Sequence, residues 1–365
     1  MAVIKDVVSY LEGIAPSRLQ ESYDNAGLIV GEYNTEVTGV LICLDSIEAT
    51  IDEALKLGAN LIVAHHPIVF KGLKRFNGNN YVERTVIKAI KNDIAIFAIH
   101  TNIDSVINGV SAKIAEKLGV ENLSVLSQKE TDMMKLETYV PVNKTNEVLA
   151  ALFKAGAGTE GGYSNCSFAS EGRGSFIPME GSNPYVGDVG KIHQERETKL
   201  EVTFSSGLKS KVINSLIKAH PYEEVAYNVF KLENVSTREG LGVIGVLPEK
   251  VEAKEFLARI KTKMKAGVVR YTQSNKSHVK RIAICGGSGS FLLSAAKKAK
   301  ADLFLTADFK YHEFFDSENE LVIADIGHYE SEQYTSELLY DLLTQKFSTF
   351  AIRISAINTN PVNYL

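Results

Sequence analysis

The chain has little cysteine, no tryptophan, no long apolar run and no excess of positive charge, and each shortage narrows what it can be. The three cysteines in 365 residues, Cys43, Cys166 and Cys285, are odd in number and far apart. They exclude a small disulfide-stapled fold and read as free, buried thiols of a reducing, cytoplasmic compartment. No window approaches the roughly 18–20 uninterrupted apolar residues of a membrane span. The first segment, Met1 to Ala15, mixes apolar residues with Lys5, Asp6 and Glu12, as an amphipathic helix does and a signal peptide does not. With Lys+Arg 40 against Asp+Glu 44 the net charge is −4, so the diffuse basic field that non-specific nucleic-acid binding requires is missing.

What is present is an ordinary globular composition, 45% hydrophobic and 23% charged. A length of 365 residues exceeds one ordinary core and favours two or three domains. The apolar run 38–46 followed by helical spacing over 47–57 predicts a strand and a helix. The unit recurs as strand 59–64 with helix 81–91, and strand 94–99 with helix 110–118. It returns near the end of the chain as strands 279–285, 302–305, 321–324 and 350–354, with helices 291–300, 309–315 and 329–344. Strands alternating with helices imply a parallel, helix-covered sheet.

Between these stretches the order becomes β-α-β-β-α-β: strand 135–142, helix 146–155, strands 164–170 and 199–205, helix 208–219, strand 225–232. That is the ferredoxin-like plan, with 156–190 as a long loop or mobile hairpin inside it. The expected architecture is therefore α/β: a doubly wound, mostly parallel sheet with helices on both faces, built from residues 1–128 and 237–365. A ferredoxin-like α+β insert, residues 129–236, interrupts it.

Three expected strand ends carry the chemistry. His65 and His66 follow strand 59–64 and precede Pro67, and ligands of open α/β sheets gather beyond the carboxyl ends of strands. Adjacent extended residues point to opposite sides, which suits two neighbouring ligand positions. The next strand ends in His100-Thr101-Asn102-Ile103-Asp104. The strand 321–324 leads to His328 and Glu332, which at i and i+4 share one face of a helix beginning at 327 or 328. Each has a plainer reading alone: surface loop histidines at 65 and 66, a satisfied structural histidine at 100, a helix cap at Asp104, an accidental pair at 328 and 332. Together they supply five nitrogen and oxygen ligands, more than one open catalytic zinc requires, and fit two borderline divalent cations bridged by a carboxylate. The absence of cysteine from the set argues against Cu(I) or an iron–sulfur cluster.

Other segments are weaker. Gly286-Gly287-Ser288-Gly289-Ser290, between a strand and a helix, reads equally as a phosphate cradle or as a tight turn, and it lacks the Gly-Lys-Ser/Thr ending of a P-loop. Asp308, Lys310, Tyr311, His312 and Glu313 either line the same cleft or face water. His220 ends a helix of the insert, where a histidinium is favoured and a structural role leads. His193 and His278 have no companion residues.

Tyr-Asp-Asn-Ala-Gly-Leu at 23–28, Ala-His-His-Pro at 64–67, His-Thr-Asn-Ile-Asp at 100–104, Gly-Gly-Ser-Gly-Ser at 286–290, Thr-Ala-Asp-Phe-Lys-Tyr-His-Glu at 306–313 and Gly-His-Tyr-Glu-Ser-Glu at 327–332 resemble the Nif-three-like dinuclear metal family. Its members are also called GTP cyclohydrolase I type 2 homologues. The resemblance covers nearly the whole chain, and His-Pro-Tyr-Glu-Glu at 220–224, with the Gly-rich region around Tyr163 to Cys166, resembles the middle domain of the longer, YqfO-like members. Many members carry Trp where this chain has Tyr23.

The resemblance implies two divalent ions per chain, Zn, Fe, Mn or Co. It puts His66 and Asp104 on one ion, His65 and His328 on the other, and Glu332 between them as the bridge. Asp24, His100 and His312 match positions around the metals, with His100 or His312 as the catalytic proton carrier. It also implies a PII- or CutA-like middle domain, a toroidal homohexamer, and a metal-dependent hydrolase in which activated water attacks GTP, another nucleotide or a phosphoester. A PII-like domain equally suits a regulatory scaffold with structural metals and a ligand-sensing middle domain. The expected partners are further copies of the chain and a small molecule or nucleotide, without a membrane.

Overall fold

A computed structural model of the chain describes residues 2–365, which divide into two compact units, 2–129 with 237–365, and Glu130–Ser236. In the first unit the parallel strands form two sheets rather than one doubly wound sheet. The first runs in the order Gly27–Val30, Ala95–Ala98, Leu61–Ala64, Gly39–Cys43, Ala351–Ile354, parallel except for the antiparallel edge strand Gly27–Val30. The second runs Arg270–Tyr271, Val322–Asp325, Leu303–Ala307, His278–Ser288, Val235–Glu252, Glu121–Glu130, with three parallel strands in its middle. A single sheet is prevented at the edges. Val235–Glu252, returning from the insert, lies antiparallel on His278–Ser288, and the last strand of the chain crosses over to Gly39–Cys43.

Alternation along the strands divides their side chains between faces. Val40, Ile42, Leu61, Val63 and Phe97 of the first sheet share a core with Ile282, Ile284, Leu303, Leu305, Val322 and Ala324 of the second. Val7 and Leu11, Ile114 and Leu118, and Leu339 and Leu343 contribute to the same core from the helices Ile4–Ile14, Val110–Leu118 and Thr335–Lys346. On the outer faces, Leu41, Ile62 and Ile96 meet the helices Glu48–Leu57 and Tyr81–Lys91, and Ala283, Phe304 and Ile323 meet Leu293–Lys298. Burial on both faces explains why these strands read as unbroken apolar runs. Each fully buried Ile, Leu or Phe contributes roughly 1.5–3 kcal/mol, so this shared core holds the two sets of strand ends in register.

Local signals agree with the elements. Asn80 caps Tyr81–Lys91, its side chain accepting from the Glu83 N–H at 2.9 Å. The helix expected over 329–344 is two helices, His328–Glu332 and Thr335–Lys346. They part where the Tyr334 hydroxyl donates to the Lys263 carbonyl at 2.7 Å.

In the second unit the strands lie in the order Phe168–Phe176, His193–Ser205, Met133–Pro141, Tyr227–Lys231, all antiparallel. Val148 and Leu152 of the helix Thr145–Ala155, and Val212 and Leu216 of Lys209–Ala219, pack on Leu136, Leu200, Val202 and Phe204. Both hairpin arms are longer than 164–170 and 199–205, the first lying further along the chain at Phe168–Phe176 and the second starting earlier, at His193. The arm Ser170-Glu171-Gly172-Arg173 is exposed and held by ladder hydrogen bonds, so it leaves no apolar pattern. Of the three free cysteines, Cys43 and Cys285 are buried and Cys166 is half-buried. Burial pushes the Cys43 thiol up to about 12. Among the described residues no helix is long and apolar enough to cross a membrane.

Candidate metal centre

The parallel register sets Cys43, Ala64 and Ala98 side by side, so the residues just beyond them leave the sheet together. His65 and His66 follow Ala64, His100 lies two residues beyond Ala98, and Asp104 ends the short helix Thr101–Asp104. His328 and Glu332 are the first and last residues of the helix after strand Val322–Asp325.

His65 Nε2 lies 3.8 Å from both Asp104 Oδ1 and Glu332 Oε1. His66 Nε2 and His328 Nε2 each lie 3.0 Å from Glu332 Oε2. Glu332 thus turns one oxygen to each half of the cluster. By distance, His65 lies with Asp104, and His66 with His328. The rings of His65 and His66, with centroids 4.8 Å apart, converge on one locus instead of diverging, because the strand has already ended at Ala64.

His65 Nε2, His66 Nε2, Asp104 Oδ1 and Glu332 Oε2 are all buried without a hydrogen-bond partner. An orphaned buried polar atom costs about 1–3 kcal/mol, and more when charged. Imidazole nitrogens and carboxylate oxygens gathered at one buried locus are a donor set suited to divalent cations, which would take the place of the protons shared there, and the residues fit such ions.

Each imidazole is oriented through its other nitrogen. Nδ1 of His65 faces the Ile99 carbonyl at 3.0 Å, that of His66 faces Asp45 at 2.7 Å, that of His328 faces Asp308 at 2.6 Å, and that of His100 faces Asp24 at 2.8 Å. An Nδ1–H donated to these acceptors leaves Nε2 with its lone pair toward the cluster, the tautomer a metal ligand needs. Burial opposes charge on His66, yet the Asp45 and Glu332 carboxylates outweigh it and raise the ring to about 10. Asp308 and Glu332 likewise overcome burial to raise His328 to about 11. Burial and the Glu332 charge push Asp104 up to about 7. Burial would raise Glu332 as well, but His328, His65 and His66 hold it well below the carboxylate range. For Asp24, hydrogen bonds from His100 and Thr101 overcome burial and lower it to about 2.

Gly286 and Gly287, near the end of strand His278–Ser288, serve this cluster rather than a phosphate. Their N–H groups are already used, Gly286 donating to Ser111 Oγ at 3.3 Å and Gly287 to Ser331 Oγ at 2.9 Å. Gly287 has φ +64, and a Cβ there would sit 2.1 Å from Glu332 Oε1. Cys285 lines the cavity, but burial, followed by the Asp104 and Glu332 charges, raises its pKa, so it stays a thiol.

Asp45 had escaped notice, and Asp308 had stood only within a polar cluster. The signal for Asp45 is the one that found His66, since each lies two residues past the end of its strand, Gly39–Cys43 or Leu61–Ala64. His312 lies elsewhere. It is exposed on the turn of helix Tyr311–Ser317, with its ring against Tyr311 and Phe315, and does not line the cavity. Asp308, at φ +58, turns the chain so that its own carboxylate reaches His328.

The cavity over the cluster has a volume of about 1090 Å³, with Tyr23, Phe70, Phe291 and Tyr329 among its walls. Its charged lining is acidic apart from the histidines and Arg270, which is paired with Asp325. An anionic ligand entering it therefore needs added cations.

Fold and cluster together define an α/β protein with a histidine–carboxylate centre at converging strand ends. A family model described as Duf34/NIF3 (NGG1p interacting factor 3) matches residues 2–361, and the chain belongs to that family, as its motifs had indicated. It is 37% identical over 371 residues to a Bacillus subtilis (strain 168) protein named GTP cyclohydrolase 1 type 2 homolog, covering 99% of this chain and 98% of the other. A Staphylococcus aureus (strain MRSA252) protein of the same name is 36% identical over 367 residues, covering 99% and 100%. Among solved structures, a Bacillus cereus protein related to NIF3 superposes with a TM-score of 0.80 at 36% identity, covering 100% of this chain and 99% of that one.

Proposed function

We propose that the chain binds two divalent metal ions and uses them to hydrolyse a nucleotide or other phosphoester, GTP being the first candidate from the names of its relatives. The observation that supports this is the set of four orphaned, buried ligand atoms at one locus. His65 with Asp104, and His66 with His328, would hold the ions, together with Glu332. Bound there, divalent ions would supply water activation, its pKa lowered towards about 7, and charge to offset that of the substrate. The chain's own part is positional. Asp24 holds His100 Nδ1, so His100 Nε2 faces the cluster as a proton acceptor, and the Asp24 carboxylate stabilises the imidazolium that results. Phe70, whose ring centroid is 6.2 Å from that of His100 and also 6.2 Å from that of Tyr23, offers a wall against which a planar base stacks. His312, outside the cavity, carries no proton in this reading.

The test is metal analysis of the purified protein, then release of formate and phosphate from GTP and a panel of nucleotides and phosphoesters, for the parent and for His66→Ala. Two equivalents of metal per chain and turnover lost on substitution support the proposal; turnover indifferent to His66→Ala ends it. A second reading, a metal-binding or regulatory scaffold whose middle domain senses a ligand, is favoured by a separate cavity within Glu130–Ser236. We read that unit as a ferredoxin-like domain of the PII and CutA kind, and the assembled protein as a cytoplasmic homohexamer. Light scattering on the purified chain checks the assembly.

A further inference from the structure

Within Glu130–Ser236 a cavity of about 780 Å³ plays no part in the metal chemistry. One wall is aromatic, with the Phe176 and Tyr185 rings 6.0 and 6.1 Å from that of Tyr222. Tyr222 is fixed from behind. Its N–H donates to His220 Nδ1 at 3.1 Å, so His220 carries its proton on Nε2 and donates it to the Tyr139 carbonyl at 2.9 Å. Against this wall lies Glu197, only 8% exposed.

Among the described residues no ion pair neutralises Glu197. The neighbouring Lys199 pairs with Glu137 and Glu201, Arg196 pairs with Glu171, and no ion pair joins Arg173 to it. The Tyr222 hydroxyl, buried and facing Glu197, is a neutral group that leaves the charge of the carboxylate uncompensated. Burying an unpaired carboxylate is costly, and the sequence makes room for this one. At Gly174 a Cβ would stand 2.0 Å from Glu197 Oε2.

We propose that this cavity binds a small organic cation, an ammonium or guanidinium head on an apolar body, with the head among Phe176, Tyr185 and Tyr222 and its charge against Glu197. Aromatic faces attract cations, most strongly where water is excluded, and a buried carboxylate supplies the counter-charge. An anion meets four carboxylates, Glu171, Glu197, Glu223 and Glu224, against the two cations Arg173 and Lys199 in the lining. A bare metal ion finds one buried carboxylate where it needs several ligands. The inference deepens the scaffold reading by naming the class of ligand, and it does not depend on turnover.

The test is calorimetric titration of the full-length, metal-loaded chain with choline and agmatine, and with 3,3-dimethylbutan-1-ol as the uncharged isostere of choline. At least one cation is expected to bind once per chain, with the alcohol at least tenfold weaker. Glu197→Gln is expected to weaken the cation at least tenfold while metal content stays unchanged. Tyr185→Ala, which removes a ring 48% exposed and so spares the core, is expected to weaken it several-fold and decides the matter if Glu197→Gln does not fold. The proposal is overturned if neither cation binds, if the alcohol binds equally, or if binding survives Tyr185→Ala and a folded Glu197→Gln. Survival would place the cation in the acidic cavity of the other unit.

Discussion

Asp45 faces Nδ1 of His66 at 2.7 Å, and the opposite nitrogen of that ring stands 3.0 Å from Glu332 Oε2. The ring is thus aimed by one carboxylate at another, and Thr359 Oγ1 fixes the first by donating to Asp45 Oδ2 at 2.6 Å. Partners of this kind typically account for 10–100-fold in metal affinity. Asp45→Ala is expected to lower metal affinity by about that factor with the fold intact, and Thr359→Val to lower it less. Competition with a chromophoric chelator measures both. Equal affinity in Asp45→Ala and parent shows that Asp45 does not orient His66.

Gly287 tests the position of the bridging carboxylate. Any side chain there meets Glu332 Oε1 and must also hold φ at +64, a conformation that costs a residue with a Cβ roughly 1–2 kcal/mol. Gly287→Ala is expected to melt only slightly lower than the parent yet to lose about one of two metal equivalents, read by elemental analysis. Full metal content in a folded Gly287→Ala shows that Glu332 is free to move aside.

The convergence of the cluster residues was legible in the sequence because polar residues soon after apolar runs, at 65, 66, 100 and 328, mark strand ends, and the strand ends of both sheets come together. The two-sheet arrangement was not legible. Nothing in the run at 350–354 says that it pairs with Gly39–Cys43, a choice made by tertiary contacts. His220 kept the structural role expected of it but not the charge, since accepting the Tyr222 N–H on Nδ1 requires a neutral ring. The sequence alone does not divide the ligands between two ions, because side-chain direction after the last strand residue no longer alternates.

Metal removal has a definite expected outcome. A ligand bound only by the folded state stabilises it by about 2.7 kcal/mol when present at a hundred times its Kd, and without ions the buried atoms of His65, His66, Asp104 and Glu332 lose their partner. Chelation is expected to lower the melting transition of the first unit and to leave protection of Glu130–Ser236 unchanged. Hydrogen exchange read by mass spectrometry on strands Leu61–Ala64 and Met133–Pro141 separates the two. An unshifted first unit after complete chelation argues against a metal at this locus.

The pH dependence of the second unit follows from His220. Burial outweighs the Tyr139 carbonyl and keeps the folded ring below its ordinary 6.5. As pH falls through 6.5 the unfolded chain takes up the proton first, so the stability associated with neutral His220 is complete above that value and is lost below it. Between pH 7.5 and 5.5, a span chosen to bracket the ordinary value of about 6.5, exchange protection of Met133–Pro141 and Lys209–Ala219 is expected to fall. The fall is expected to be shallower in His220→Gln, which starts from lower stability because it loses the ring between Tyr139 and Tyr222. The same slope in parent and variant shows that another group carries the titration.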